Sequence, residues 1–214
     1  MQLTWFQAER PVATLVLAHG AGAGQKSAWM VKAAHALAER GITVATFDFP
    51  YMAAGKSVPD KAPVLEASWR EALAGAGSAT SAKATAAKKD QVFIGGKSMG
   101  GRIATHIAAQ GVGGIAGVVL LGYPLHPPGQ PHKRRDAHLP QIQEAVLFVQ
   151  GAADTFGTEA EIRALLPTMQ NASLHVIEGG DHSFKVKGGA ARVTAAFDEA
   201  IGAVELWIKQ RASY

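Results

Sequence analysis

Residues 91–101 read Gln91-Val92-Phe93-Ile94-Gly95-Gly96-Lys97-Ser98-Met99-Gly100-Gly101, and this stretch decides the fold because it joins an apolar run to a helix-like segment. The apolar run predicts a buried strand, and residues 101–110 predict a helix. Between them stands the pattern G-x-S-x-G, in which a serine occupies a strained strand-to-helix turn. Such a turn exposes the serine hydroxyl above the carboxyl edge of a sheet. The pattern therefore predicts Ser98 as a nucleophile.

A structural turn and a phosphate-binding loop are two other interpretations of this stretch. Glycine and serine are common in any strand-to-helix turn, so the turn can be purely structural. The letters Gly-Lys-Ser also resemble the end of a phosphate-binding loop, but its first glycine would fall on Gln91. A second glycine-rich stretch, residues 20–27, also does not match the phosphate-binding pattern G-x-x-x-x-G-K-[ST], because Gln25 stands where the second glycine is required. We therefore expect no nucleotide and no other cofactor.

Six apolar runs recur along the chain, and their apolarity is nearly continuous, as in strands buried on both faces of a parallel sheet. The runs are residues 12–18, 42–47, 91–95, 117–121, 145–150 and 173–177. Residues 3–7 are a candidate edge strand. Helix-like segments lie between the runs, and this alternation predicts an α/β fold with a mostly parallel, doubly wound sheet of about six to seven strands.

Local signals set several helix boundaries. Residues 27–40 predict a helix that stops before a glycine. Thr158 and Glu161 have the spacing of a capping box, in which each side chain bonds the other residue's backbone amide. A helix that begins near Val64 is predicted to end within residues 74–90, which are rich in small residues and continue as an exposed connection.

The composition narrows the class of protein. The chain has 214 residues, a formal net charge of +4, 48% hydrophobic residues and no cysteine, which predicts one globular domain over residues 1–214. The absence of cysteine excludes a disulfide scaffold, cysteine-ligated zinc and a thiol nucleophile, and we expect no metal site. The basic residues are scattered, so we expect no nucleic-acid partner. No signal-peptide or membrane-spanning pattern is present, which predicts a cytoplasmic protein without a membrane partner.

A nucleophilic serine needs a base and an acid that orients the base. Asp154 follows the run 145–150, and His182 follows the run 173–177, so the chain order is serine, aspartate, histidine, as this architecture requires. Other carboxylates also stand near predicted strand ends, namely Asp48, Glu178 and Asp181. Placement and order favour Asp154 as the acid and His182 as the base.

The tetrahedral oxyanion of acyl transfer needs backbone N–H donors. The amide of Met99, directly after the nucleophile, is the first candidate. The second is the amide of Ala21 in the glycine-rich loop 19–24, which can also be a turn without a chemical role. Gly22 in the same loop is a candidate substrate-binding residue, whereas His19 is predicted to be structural.

Three stretches carry a resemblance to a known family, namely residues 19–24, 95–102 and 122–129. They resemble the α/β-hydrolases, in particular small predicted hydrolases related to testis-expressed protein 30 and to subunit 3 of the non-specific-lethal histone-acetyltransferase complex. Dienelactone hydrolase is a more distant relative. The resemblance covers nearly the whole chain and implies Ser98, Asp154 and His182 as a catalytic triad. It implies no substrate, and Ser98 stands where dienelactone hydrolase carries cysteine.

The segment between the runs 117–121 and 145–150 is too short for a lid domain. Its prolines predict a stiff loop beside an open, shallow pocket. Tyr123 and His126 in this loop are candidate substrate-binding residues. The segment is also the most basic part of the chain, with His132, Lys133, Arg134 and Arg135, and either attracts an anionic substrate or is a solvated surface loop.

These features predict a serine hydrolase that acts on small soluble esters or thioesters through an acyl-enzyme. The partner expected is the small-molecule ester or thioester substrate, and the sequence carries no signal for an oligomeric state. A second hypothesis is that the fold serves as a catalytically silent binding or assembly module, because a fold alone never fixes function.

Overall fold

The computed structural model describes residues 1–83 and 91–212. In this part of the chain, strands form one seven-stranded sheet in the order β1-β3-β2-β4-β5-β6-β7. The strands are β1 (Thr4–Phe6), β2 (Ala13–Ala18), β3 (Ile42–Phe47), β4 (Gln91–Lys97), β5 (Gly117–Leu121), β6 (Val146–Gly151) and β7 (Ala172–Ile177). The six predicted apolar runs are β2 to β7, which confirms the mostly parallel sheet.

The candidate edge strand is also present. It pairs antiparallel with β3, with Thr4 opposite Thr46, whereas every other neighbouring pair is parallel. The strands β2, β3, β5 and β6 are buried along their whole length, because helices cover both faces of the sheet. This is the physical reason that their sequences are apolar without alternation.

Helices cover the sheet from two sides. They are α1 (Ala28–Glu39), α2 (Pro50–Ala53), α3 (Ala62–Lys83), α4 (Met99–Ala109), α5 (Glu159–Leu165) and α6 (Ala190–Ala212). Helices α1 and α6 pack on one face, where Trp207 meets Phe93 edge to face with ring centroids 5.8 Å apart. Helices α3, α4 and α5 pack on the other face, where Trp69 meets Phe47 at 5.1 Å. Both contacts have the favoured geometry of aromatic pairs.

The predicted helix signals are mostly found. Ser27 is the N-cap residue of α1, although its side chain makes no capping hydrogen bond. The capping box at α5 is complete, since Thr158 and Glu161 each bond the other's backbone amide. Helix α3 begins two residues before Val64 and continues to Lys83, further into the segment of small residues than the turn signals indicate. The rest of the predicted connection, residues 84–90, lies outside the described residues.

The strand order places the chemistry at one edge of the sheet. The chain runs from β2 outward to β3 and then returns to β4 on the other side of β2, which makes a topological switch point. Ala18, the last residue of β2, is the register partner of Gly96. The loop after β2 and the serine turn after β4 therefore leave the sheet side by side.

Among residues 1–83 and 91–212, no lid domain covers this edge. Residues 122–145, between β5 and β6, contain only one short 3-10 helix, Leu139–Gln141, and the side chains of Leu125 and Leu139 are buried in the core. Within the described residues, no helix is both long enough and apolar enough to cross a membrane.

Candidate active site

The serine turn has the strained backbone that the G-x-S-x-G pattern predicts. Ser98 has φ of 51° and ψ of −119°, a conformation that residues with a side chain rarely adopt. Its amide donates to the Leu121 carbonyl at 3.0 Å, which holds the turn against β5. A Cβ atom at Gly96 would lie 2.6 Å from the Ala18 carbonyl oxygen, and one at Gly100 would lie 2.5 Å from it. Neither position has room for a side chain, so the close approach of two strands and a helix fixes the turn.

The turn brings Ser98 within hydrogen-bond distance of His182. Ser98 Oγ lies 2.8 Å from His182 Nε2, and His182 Nδ1 lies 2.8 Å from Asp154 Oδ2. This order of contacts requires the proton of a neutral imidazole to be on Nδ1, where it is donated to the carboxylate, so that Nε2 can accept from the hydroxyl. The structure thus brings together the three predicted residues from the ends of β4, β6 and β7.

Asp154 is fully buried, and it is supported by partners that the sequence did not reveal. Gln150 Nε2 donates to Asp154 Oδ2 at 2.8 Å, and the Phe156 amide donates to Oδ1 at 2.8 Å. The side-chain oxygen of Gln150, Oε1, in turn accepts from the Tyr123 amide at 2.8 Å. Buried carboxylates need such donors to compensate for lost water. Gln150 was missed because it is the last residue of an apolar run, where it looks like part of a strand.

The other candidate acids are engaged elsewhere. Asp48 accepts two hydrogen bonds from Gln25, at 2.7 Å from the amide and 3.1 Å from the side chain. Asp181 accepts from the backbone amides of Ser183 and Lys185. Glu178 is exposed at the turn after β7. Among these four carboxylates, Asp154 alone contacts the histidine.

The His182 ring and its backbone are also fixed by neighbours. Phe156 stacks on the imidazole with ring centroids 4.2 Å apart. The buried Lys97 donates from Nζ to the His182 carbonyl oxygen. Burial lowers the pKa of Lys97 to about 8, and the negative charges of Asp154 and Asp181 only partly oppose this. Lys97 occupies the variable position of G-x-S-x-G, so its role carried no sequence signal.

The glycine-rich loop lies directly against the nucleophile. A Cβ atom at Gly20 would be 3.5 Å from Ser98 Cβ, and both Ala21 and Gly22 line the cavity above the serine. Tyr51 donates from its hydroxyl to the Ala21 carbonyl at 2.9 Å, which orients the loop. Met99 is the first residue of α4, so its N–H has no partner within the helix. The two predicted oxyanion donors therefore flank Ser98.

His19 is part of the loop's scaffold. It is completely buried, its Nδ1 donates to the Gly20 carbonyl at 2.7 Å, and its Nε2 accepts from the Phe49 amide at 3.1 Å. Burial lowers the pKa of His19, because the charged form would lose water. This agrees with the predicted structural role.

A cavity of about 680 Å³ opens above Ser98. This size suits small ligands, which usually bind in cavities of this order. One wall is apolar, with Trp29, Met30 and Leu65, and another carries Arg102 and Arg135. Within the described ranges, no group of three or more histidine, aspartate or glutamate side chains could hold a metal ion.

The prediction for the loop after β5 needs a correction. Gly22 lines the cavity, but Tyr123 and His126 are not among the described residues that do. The Tyr123 hydroxyl donates to the Arg135 carbonyl at 2.6 Å, and burial raises the pKa of this hydroxyl. His126 lies between the Pro127 carbonyl, at 2.9 Å, and the Glu161 carboxylate, at 3.1 Å. Both side chains hold the loop in place instead of facing a substrate.

A family model described as an alpha/beta hydrolase domain matches residues 11–209 of the chain. The chain belongs to this family. Among solved structures, the hydrolase is similar to Est1E from Butyrivibrio proteoclasticus, which was solved with ferulic acid bound. The TM-score is 0.76 at 14% identity, covering 100% of this chain and 96% of Est1E.

Two further structures share the hydrolase's fold. A serine hydrolase without a lid from Xanthomonas campestris has a TM-score of 0.68 at 19% identity, covering 96% of this chain and 88% of its own. Dienelactone hydrolase from Anabaena variabilis has a TM-score of 0.66 at 19% identity, covering 98% of this chain and 87% of its own. The resemblance to dienelactone hydrolase is thus found at the level of the fold. The closer resemblance to testis-expressed protein 30 and its relatives stays a prediction.

Proposed function

We propose that this alpha/beta hydrolase is a serine hydrolase of small esters or thioesters, with Ser98 as nucleophile, His182 as base and Asp154 as the orienting acid. One observation carries the proposal. A continuous chain of two 2.8 Å hydrogen bonds links Ser98 Oγ through the imidazole to the buried carboxylate, at the floor of an open cavity. The strained serine turn and this network match the requirements of nucleophilic catalysis.

In the first half of the reaction, His182 Nε2 takes the proton of Ser98 Oγ as the oxygen attacks the acyl carbon. The imidazolium that forms is stabilised by Asp154, which keeps its negative charge. The tetrahedral intermediate then collapses, and His182 gives its proton to the departing alkoxide or thiolate. The products of this half are a free alcohol or thiol and an acyl group esterified to Ser98.

The second half repeats the same proton transfers with water. His182 removes a proton from water, the hydroxide attacks the acyl-enzyme, and the proton returns to Ser98 Oγ as the carboxylic acid leaves. In both halves the negative oxygen of the intermediate would be held by the amides of Met99 and Ala21. Such preorganised donors lower the barrier by about 3 to 4 kcal/mol each.

The size and shape of the cavity support small substrates. Its volume of about 680 Å³ admits a compact ester, and residues 122–145 supply no covering domain that would enclose a long chain. The apolar wall of Trp29, Met30 and Leu65 would pack against the uncharged part of the substrate.

The test is covalent labelling with a small, uncharged fluorophosphonate, which reacts only with an activated serine. We expect intact-protein mass spectrometry to show one adduct on the wild type and none on Ser98→Ala, with His182→Ala labelled at least 10³-fold more slowly because no base remains. Half-buried Ser183, which also lines the cavity, provides the matched control, since Ser183→Ala keeps the adduct. A folded wild type that does not label would contradict the proposal and favour the binding-module hypothesis.

A further inference from the structure

The cavity wall beside Ser98 carries two arginines that have no carboxylate partner among residues 1–83 and 91–212. Arg102 and Arg135 both line the cavity, and neither forms an ion pair with a carboxylate among the described residues. The adjacent Arg134 differs, because its Nε donates to Asp136 at 2.8 Å. Arg134 and Arg135 are neighbours in one loop but differ in their ion pairs. Arg134 pairs with Asp136, whereas Arg135 lines the cavity without a carboxylate partner among the described residues.

Arg102 is the more confined of the two. Its Nε is buried without a hydrogen-bond partner in the structure, and its nearest polar side-chain contact is a long one, 3.4 Å from Nη1 to His106 Nε2. Burial lowers the pKa of the Arg102 guanidinium, and the positive charge of Arg135 lowers it further. A guanidinium has five N–H donors, so most of its hydrogen-bonding capacity is unused here.

The position of Arg102 relative to the nucleophile is set by α4. The Arg102 amide donates to the Ser98 carbonyl at 3.0 Å, so the two residues are one helical turn apart on the same face, a rise of about 6 Å. Side chains on a helix lean toward its N-terminus, which directs this guanidinium back toward Ser98.

Arg135 reaches the same wall from the loop after β5. Its backbone amide donates to the Leu125 carbonyl at 2.8 Å, and its own carbonyl accepts from the Tyr123 hydroxyl at 2.6 Å. These bonds fix the backbone, while the side chain has one weak contact, 3.4 Å from Nη1 to the Pro124 carbonyl. The carboxylate that lines the cavity, Asp60, accepts instead from the Tyr51 amide at 2.9 Å.

Two like charges that are partly buried side by side are unfavourable unless an anion joins them. We propose that Arg102 and Arg135 bind an anionic group of the substrate, a carboxylate or a phosphate, so that the preferred substrates are small esters or thioesters that carry a second, negatively charged group. Guanidinium pairs suit both anions because each can donate two parallel hydrogen bonds. This inference rests on the proposed function for the reaction, but the anion site can be tested separately.

The kinetic test compares substrates that differ only in charge. One pair is the 4-nitrophenyl monoester of glutaric acid and its methyl ester, with the charge on the acyl side. The other is 4-acetoxy-3-nitrobenzoate and its methyl ester, with the charge on the leaving group. For each variant the readout is the ratio of kcat/KM for the anionic ester to that for the neutral ester, after subtraction of spontaneous hydrolysis.

We expect Arg102→Gln and Arg135→Gln each to lower this ratio about 10- to 100-fold for at least one pair, as expected for a lost hydrogen bond to a charged group. Arg134→Gln is the matched control and leaves the ratio and the activity unchanged, because Arg134 pairs with Asp136 outside the cavity. Arg102→Lys and Arg135→Lys keep the positive charge but not the two parallel N–H donors of the guanidinium. They should therefore lower the ratio less than the glutamine variants do. If the glutamine variants fold poorly, these lysine variants carry the test.

Two binding measurements separate this inference from the proposed function. Isothermal titration of glutarate and of inorganic phosphate should show binding to the wild type that weakens at least tenfold in Arg102→Gln and Arg135→Gln. Loss of glutarate binding alone assigns a carboxylate, and loss of phosphate binding alone assigns a phosphate. Equal ratios and equal affinities in wild type and variants, with Ser98 still labelled by the uncharged fluorophosphonate, would overturn the anion site and leave the hydrolase proposal intact.

Discussion

Two groups of polar residues at the cavity differ in how they are satisfied, namely Ser98, His182 and Asp154, here called the triad end, and Arg102 with Arg135, here called the arginine end. At the triad end, the buried carboxylate has its partners within the chain: Asp154 accepts from His182, Gln150 and the Phe156 amide. At the arginine end, Arg102 and Arg135 form no ion pair within the described residues, and the Nε of Arg102 is buried without a hydrogen bond. The complete hydrogen-bond network of Asp154 fits the proposed role in catalysis. The unused donors of Arg102 and Arg135 fit the proposed role in binding an anionic group.

This difference implies that the two ends respond to mutation independently. Substitutions at the triad end should change the rate of the chemical step and leave anion affinity alone. Substitutions at the arginine end should change discrimination between substrates. Three further predictions test this separation, beginning with the largest effect.

The largest effect is expected from Asp154→Asn. The Asn amide group can donate to Nδ1 and so favours the wrong tautomer of His182, with the proton on Nε2, and it carries no charge to stabilise the imidazolium, so kcat/KM should fall about 10⁴-fold on neutral and anionic esters alike. Glutarate affinity, measured by isothermal titration, should stay at the wild-type value. A change in the ratio of kcat/KM for anionic and neutral esters would show that the two ends are coupled. It would contradict their independent response to mutation.

A smaller effect is expected from Lys97→Met on the pH dependence of stability. The folded-state pKa of Lys97 is about 8 against an ordinary 10.5, so between these values the folded protein binds fewer protons than the unfolded chain, and stability rises with pH. The buried ammonium therefore costs stability below pH 8, by about 3 kcal/mol, and this cost disappears by pH 10.5. Urea unfolding should show that Lys97→Met gains stability relative to wild type at pH 7, and gains less at pH 10.

The exposed Lys187 is the control for this experiment, because Lys187→Met removes a lysine without removing a buried charge. A stability difference between wild type and Lys97→Met that is the same at both pH values would contradict the predicted cost. A pH-dependent gain in stability would group Lys97 with the unsatisfied charges of Arg102 and Arg135. A pH-independent difference would group it with the satisfied residues of the triad end.

The smallest effect is expected from His138, which borders the arginine end. Its pKa is lowered to about 4, first by burial and then by the positive charges of His106 and Arg102. Between pH 6.5 and 4 the unfolded chain therefore binds a proton that the folded protein does not, and stability falls as the pH is lowered through this window. His138→Gln should lose less stability than wild type between pH 7 and 4.5 in thermal unfolding.

The exposed His132 in the same loop serves as the control, since His132→Gln should retain the acid sensitivity of wild type. The effect should be smaller than that of Lys97, because His138 is only partly buried and solvent screens its charge. Equal acid sensitivity of wild type and His138→Gln would contradict the prediction that burial and the positive charges of His106 and Arg102 disfavour protonation of His138.

Much of the fold and the core of the site could be predicted from sequence. Continuous apolar runs reveal strands buried on both faces, and the pattern around Ser98 combines strand, turn and helix signals in one place. Chain order then selected Asp154 and His182, which the structure brings within 2.8 Å of their neighbours. The fold prediction is confirmed, and both it and the proposed site residues rest on local sequence or on the meeting of strand ends at one edge.

The remaining residues could not be predicted because their environment is set by distant parts of the chain. Gln150 lies within β6 and contacts Asp154 only because the turn after the strand, in which the Asp154 amide donates to the Gly151 carbonyl, brings the two side chains together. Tyr123 and His126 looked like cavity residues, but packing against Arg135 and Glu161 directs them into the loop. Arg134 and Arg135 are neighbours of the same type in sequence, and only the fold shows which one faces the cavity.

The short connection after β5 also bears on the fate of the proposed acyl-enzyme. Ser98 is partly exposed, and Gly22 and Ala23 at the cavity rim are open to solvent. Since no segment among the described residues covers the cavity, the proposed acyl carbon would be open to small alcohols as well as to water. In a medium rich in methanol or glycerol, the same serine would then transfer the acyl group to the alcohol and make new esters instead of acids.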